Sequence, residues 1–259
     1  MRWQEGALRG DVLSRLGLDP GRVLAIPNGV DRPAPRPGQP RAADHPYVLY
    51  VGGHEPRKNL AAIFKAMQCY WERFDPSLEL RLTGSAASLS GDAAEVLRGL
   101  PNHPPVHFLG TLTDDELATQ YASASVLLLL SHDEGFGLPV LEAMAHGCPV
   151  IAAAKAALPE VVGDAGVLVN PDDHEAVASA MRRLITSPND RAELVRCGLL
   201  RARMFGWDLM ADRLHQLYRT VLHESADSHR GIVREHPNLI AGWPRRFLPG
   251  AATDPHVRD

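Results

Sequence analysis

From Tyr47 onward the chain alternates between short apolar runs and longer segments whose apolar residues recur at helical spacing. The runs are YVLYVGG (Tyr47–Gly53), LELRLTG (Leu78–Gly84), VHFLG (Val106–Gly110), SVLLLL (Ser125–Leu130), PVIAA (Pro149–Ala153) and GVLVN (Gly166–Asn170). Near-continuous apolar strands, each followed by a helix, belong to a parallel sheet covered on both faces. The intervening segments predict helices starting near Asn59, Asp92, Asp114, Pro139, Leu158 and Asp173. In TDDEL, Thr113 as N-cap with Glu116 three residues on forms a capping box. The pattern predicts an α/β fold, a doubly wound parallel sheet over residues 47–205, with ligands at the carboxyl ends of its strands.

The flanks follow other rules. RPAPRPGQPRAADHP, residues 32–46, is a linker, since dense proline disfavours helix and central strand. Residues 1–31 predict a short helix, a turn at Asp19-Pro20-Gly21 and a strand ending in Pro27-Asn28-Gly29, the end of something larger. Residues 206–224 predict an amphipathic helix, with Leu209, Leu214, Leu217, Tyr218 and Leu222 at helical spacing. Residues 225–259 have no sustained period and are expected to form a mobile tail, with a docking patch around Trp243.

Composition narrows the classes. A formal net charge of −4 over 259 residues leaves no basic footprint for nucleic acid or an acidic membrane surface. Cys69, Cys148 and Cys197 have no metal-ligand or paired spacing and are expected to be buried, reduced thiols. The opening MRWQEGALRGDV lacks the apolar segment of a secretory signal, so the expected location is cytoplasmic.

The candidate chemistry lies in SHDEGFGLPVLEAMAHGCPVIA, residues 131–152. Gly135 and Gly137 free a loop to expose its N–H groups, and Pro139 suits the first turn of the helix behind it. Those donors and the helix dipole suit a phosphate. Glu134 at the strand tip and Glu142 one turn into the helix flank that anion on two sides. Such a site fits a ligand with a diphosphate in the middle and hydroxyl-rich groups at both ends, the shape of a nucleotide sugar. In VGGHEPRKN, Gly52 and Gly53 close a strand and Arg57 and Lys58 open the next helix, where they would neutralise the diphosphate. Taken singly, Glu142 is a solvated helix acid, PRK a surface turn and GG a turn signal.

As a set, EGFGLPVLEAMAHGCPVIA resembles the E-x7-E region of retaining GT-B glycosyltransferases, especially glycosyltransferase family 4. YVLYVGGHEPRKNLAAIFKAM, LRLTGS, VHFLGTLTDDELATQYASASVLLLLS and LPEVVGDAGVLVNPDD follow that family in order, and RVLAIPNGVD resembles the approach to its interdomain linker. The resemblance covers about residues 12–222. It implies the Rossmann-like C-terminal domain of the GT-B fold, with residues 1–31 a remnant of a largely missing N-terminal domain. It implies that Glu134 meets the donor sugar and that Gly135, Phe136, Gly137 and Leu138 contact sugar and phosphate through their backbone. Arg57 and Lys58 would bind the diphosphate, Glu142 the ribose, and Thr83 and Gly84 would border the base.

By the same resemblance no metal or cofactor is needed, the donor is UDP- or GDP-linked, and the acceptor is a glycan or a lipid-linked acceptor; the expected location is the cytoplasm, with a peripheral position at the inner membrane face as the option beside it. The sequence departs from the family in reading Gly52-Gly53-His54 where many members carry an arginine, and in length. The acceptor half would come from a separate chain, or was lost. Two functions stay open: a retaining hexosyltransferase to which this chain gives the donor half, and a non-catalytic nucleotide-sugar-binding module or inactive remnant. An NAD-dependent oxidoreductase is disfavoured, because no G-x-G-x-x-G follows the first strand.

Overall fold

The computed structural model describes residues 7–31, 45–100 and 104–235. Residues 32–44 of the expected linker, residues 236–259 of the expected tail, Trp243 among them, and residues 1–6 lie outside the described residues. The chain forms two compact units, Met1–Met210 and Ala211–Asp259.

Six strands form one sheet: β1 (Tyr47–Tyr50), β2 (Glu79–Leu82), β3 (Val106–Phe108), β4 (Val126–Leu129), β5 (Val150–Ala153) and β6 (Val167–Val169). Their order is β3-β2-β1-β4-β5-β6 and every pairing is parallel. Each predicted apolar run contains one strand. Every residue of β1, β4 and β5 is buried, whereas the edge strands β3 and β6 keep only partial burial. This gradient explains why the central strands are written in Val, Leu, Ile, Ala and Tyr while β3 tolerates His107.

The helices are α1 (Ala7–Leu16), α2 (Leu60–Arg73), α3 (Gly91–Gly99), α4 (Asp114–Ser123), α5 (Leu138–Ala145), α6 (Leu158–Val162), α7 (His174–Thr186), α8 (Pro188–Ala202) and α9 (Trp207–Glu235). Helix α2 packs on α3 and α7, and α5 on α4, α6 and α8. The capping box forms: the Glu116 carboxylate accepts from the Thr113 N–H at 2.8 Å, and the Thr113 hydroxyl accepts from the Glu116 N–H at 3.4 Å. Asp173 caps α7 by accepting from the Ala176 N–H at 3.0 Å.

Several expectations change. The stretch expected as a strand up to Gly29 has no sheet partner: residues 23–31 carry no strand. Val30 instead donates its N–H to the Phe205 carbonyl at 2.9 Å. Gly29 lies so close to the start of α9 that a Cβ on it would sit 2.4 Å from the Trp207 indole and 2.6 Å from its backbone. Helix α9 continues to Glu235, past the expected limit of residue 224, because no proline interrupts it before Pro237. Of the three thiols only Cys148 is buried; Cys69 and Cys197 are half-buried, and all three are unpaired. In the first unit Leu16, Leu18, Leu24 and Met204 are exposed.

Candidate functional site

In the order β3-β2-β1-β4-β5-β6, the chain leaves β1 toward β2 in one direction and β4 toward β5 in the other. The crevice between the carboxyl ends of β1 and β4 is therefore the topological switch point, the usual ligand position in open α/β sheets. Two loops meet there and are stitched together. The His132 N–H donates to the Arg57 carbonyl at 2.8 Å, the Asn59 amide to the Leu130 carbonyl at 3.1 Å, and the Arg57 guanidinium to the Asp133 carbonyl at 3.3 Å. Asn59 turns the chain from Pro56–Lys58 into α2 with φ 54°, a left-handed conformation that asparagine tolerates better than most residues.

The stitching holds Lys58 against Glu134. The Lys58 Nζ donates to both carboxylate oxygens, at 2.8 Å to Oε1 and 2.9 Å to Oε2. Lys58 is 8% exposed and Glu134 5%. Two charges this deep are tolerable only when each compensates the other. Ser131, fully buried, adds a hydroxyl donated to Oε1 at 2.8 Å. Arg57 remains exposed, with its Nη1 3.8 Å from Oε2.

Beyond Glu134 the chain opens. Gly135 is exposed and Phe136 lies half-buried, edge-on to the Phe205 ring at 5.9 Å between centroids. Gly137 caps α5 in a left-handed conformation, φ 95°, where a Cβ would meet Leu158 Cδ2 at 2.8 Å; only glycine fits. Leu138 begins α5, and Pro139 stands in its first turn. Glu142, on α5, is half-buried and accepts from the Tyr121 hydroxyl at 2.7 Å through Oε2. Burial first, and the Glu142 carboxylate second, hold that hydroxyl well above its usual pKa of 10.0. Tyr121 also stacks on His146, at 5.6 Å between centroids.

Just past β2, whose Leu82 pairs with Tyr50, Thr83 Oγ1 accepts from the Gly52 N–H at 3.1 Å. Gly84 and Gly110 bond each other reciprocally at 2.8 and 2.9 Å. His54 spans this region, one ring nitrogen 2.8 Å from the Thr83 carbonyl and the other 2.6 Å from the Ser88 hydroxyl. Tyr50 donates to the Gly53 carbonyl; burial, with the Glu134 and Glu55 carboxylates, raises its pKa.

The structure thus brings together Arg57, Lys58 and Glu134, and separately Gly52 with Thr83 and Gly84 with Gly110. Glu142 is tied to Tyr121, not to the lysine cluster. Sequence reasoning missed Ser131, Asn59 and Tyr121. Ser131 carried a faint signal, a polar residue directly after the most apolar run, whereas nothing local connects Tyr121 with an acid 21 positions on. A separate cavity of about 250 Å³ borders Gly135 and Phe136, walled by Val12, Leu24, Ile26 and Val161. Neither Lys58 nor either acid lines it, so it flanks the site and is not its centre. Among the described residues no group of histidines, cysteines and acids is arranged to hold a metal.

Comparison with known proteins gives a consistent result. The family described as "Glycosyl transferases group 1" matches residues 45–187. The O-antigen chain mannosyltransferase B of Escherichia coli is 33% identical over 162 residues, covering 62% of this chain and 42% of its own. The MMP alpha-(1->4)-mannosyltransferase of Mycolicibacterium hassiacum is 30% identical over 220 residues, covering 83% and 53%. Among solved structures, a sucrose-phosphate synthase from Thermosynechococcus elongatus superposes with a TM-score of 0.60 at 29% identity, covering 85% of this chain and 51% of that one. The chain spans about half the length of the curated relatives it matches.

Proposed function

Because the chain belongs to the group 1 glycosyl transferases, we propose that it supplies the donor-binding half of a retaining hexosyltransferase. The reaction moves a hexose such as mannose from a UDP- or GDP-linked donor to a glycan or lipid-linked acceptor. The observation that carries the reading is the buried Lys58–Glu134 pair at the switch point, beside an open glycine loop and the start of α5. The Escherichia coli and Mycolicibacterium hassiacum mannosyltransferases among its relatives support the choice of sugar.

In this reading the donor lies across the carboxyl edge of the sheet. Glu134 and the backbone of Gly135–Leu138 meet the sugar, and Arg57 and Lys58 the diphosphate. The Oε1 of Glu142, without a partner among the described residues, accepts from the ribose. Thr83 and Gly84 border the base. Breaking the bond between anomeric carbon and phosphate oxygen leaves the electron pair, and a growing negative charge, on the diphosphate. Preorganised cations and the N–H groups at the start of α5 lower that barrier without a metal. The acceptor side of the cleft lies beyond this sheet domain, in a separate chain or a further domain. No helix among the described residues is long and apolar enough to cross a membrane, and work on lipid-linked acceptors would be done at the cytoplasmic face.

The test is calorimetric titration of the purified chain with UDP, GDP and ADP and with their sugar conjugates. Saturable binding of one base, tighter for its sugar conjugate and weakened by Glu142→Gln, is expected. No binding by any of the six would overturn the reading.

A further inference from the structure

We propose that Ser131 is a positioning residue for sugar transfer, acting through Glu134; the inference rests on the donor-site reading above. A carboxylate presents about four lone-pair directions, two on each oxygen. At Oε1 both are taken, by Lys58 Nζ at 2.8 Å and by the Ser131 hydroxyl at 2.8 Å. At Oε2 Lys58 takes one, at 2.9 Å. The Arg57 Nη1, at 3.8 Å, is too far to take the other as a hydrogen bond. One acceptor direction therefore remains on Glu134. It lies on Oε2, the oxygen nearer to the exposed Arg57.

Ser131 makes the choice between the two oxygens. The Lys58 ammonium grips the carboxylate almost symmetrically and does not distinguish them. Only the serine hydroxyl, fully buried at the end of β4, does so. With it in place, Glu134 offers a single fixed acceptor and meets one sugar hydroxyl in one orientation. Without it, Oε1 regains an open direction, and the carboxylate can turn about its last bond without losing a partner.

The experiment is a double-mutant cycle read by calorimetry. Wild type, Ser131→Ala, Glu134→Gln and the double variant are titrated with GDP-mannose and GDP, and with UDP-glucose and UDP. Expected for Ser131→Ala is about a tenfold loss of affinity for the sugar nucleotide, the scale of one hydrogen bond to a charged group. The free nucleotide should stay within about twofold, the ordinary context spread of such measurements, which also shows that the fold is intact. The loss should vanish in the Glu134→Gln background. Ser131→Cys, close in volume but a weak donor, should fall between wild type and alanine.

Equal weakening of nucleotide and sugar nucleotide would overturn the proposal, as would a loss that persists without the Glu134 carboxylate. Wild type binding free nucleotide no more weakly than its sugar conjugate would overturn the Ser131 role while leaving a nucleotide site. Wild type binding none of the four ligands would overturn the donor-site reading, and this inference with it.

Discussion

Glu134 and Glu142 stand eight positions apart in one stretch and have the same side chain, yet the fold treats them as opposites. The loop around Glu134 is over-determined. A lysine grips both oxygens, a buried serine takes one of them, and three further bonds clamp the loop to its neighbour after β1. The Glu142 side chain has one tie, the Tyr121 hydroxyl, and leaves an oxygen uncommitted. Glu134 is therefore committed to the fold first, and in the proposed donor site it would be a ligand group second, whereas Glu142 would be a ligand group with a modest structural role. One consequence is practical: substitutions at Lys58 or Glu134 test folding and binding together, and those at Glu142 separate them.

The sharpest way to break this contrast is Lys58→Ala. Stranding a buried carboxylate costs about 3–5 kcal/mol, and urea unfolding should show a loss of that size. Replacing both partners, Lys58→Met with Glu134→Leu, should recover most of that stability while leaving no donor binding. If Lys58→Ala melts like wild type, the pair is not the anchor described. Next, Glu142→Gln should weaken the donor by about tenfold or more, the scale of a hydrogen bond to a charged acceptor, with little change in melting. Glu142→Ala should additionally strand the Tyr121 hydroxyl, at about 1–3 kcal/mol.

A smaller effect lies in alkali. The folded-state pKa of Tyr121 is raised above 10.0, so its contribution is full below that pH and is lost as pH rises above it. Tyr47, pushed up to about 12 mainly by burial, and Tyr50 and Tyr70 shift the same way. Tyr121→Phe should therefore show a shallower decline in its urea midpoint above pH 10.0 than wild type, without abolishing the decline. An unchanged slope would mean that the hydroxyl is not sequestered. The smallest stability change is expected for Arg57→Gln: an exposed cation contributes at most about 1 kcal/mol. Its signature should be a flatter dependence of donor binding on salt.

The same contrast shows what could be read in the sequence. The strands β1, β4 and β5 were legible because burial on both faces writes them as continuous apolar runs, and the less buried β2, β3 and β6 because their apolar runs each end in glycine or asparagine. The capping box at Thr113 was legible because it is local. Helix α8, PNDRAELVRCGLLRA, was not anticipated: it is dense in charge, and only Gly198, Arg201 and Ala202 are buried. Strand-end reasoning brought Lys58 and Glu134 to one crevice. It could not tell that they would neutralise each other, since that pairing joins residues 76 positions apart and depends on how deeply the crevice is buried. Ser131, Asn59 and Tyr121 matter through such non-local contacts, which no periodicity encodes.

The contact of Gly29 with Trp207 and the bond from Val30 to Phe205 lie side by side. The stretch that leads toward the sheet and the stretch that leaves it are thus held against each other at residues 29–30 and 205–207. Tension applied between residues 29 and 207 would fall directly on this latch. A segment cut at these two points would carry its ends already closed together, the geometry of a cassette that can be moved between host chains without reopening its core.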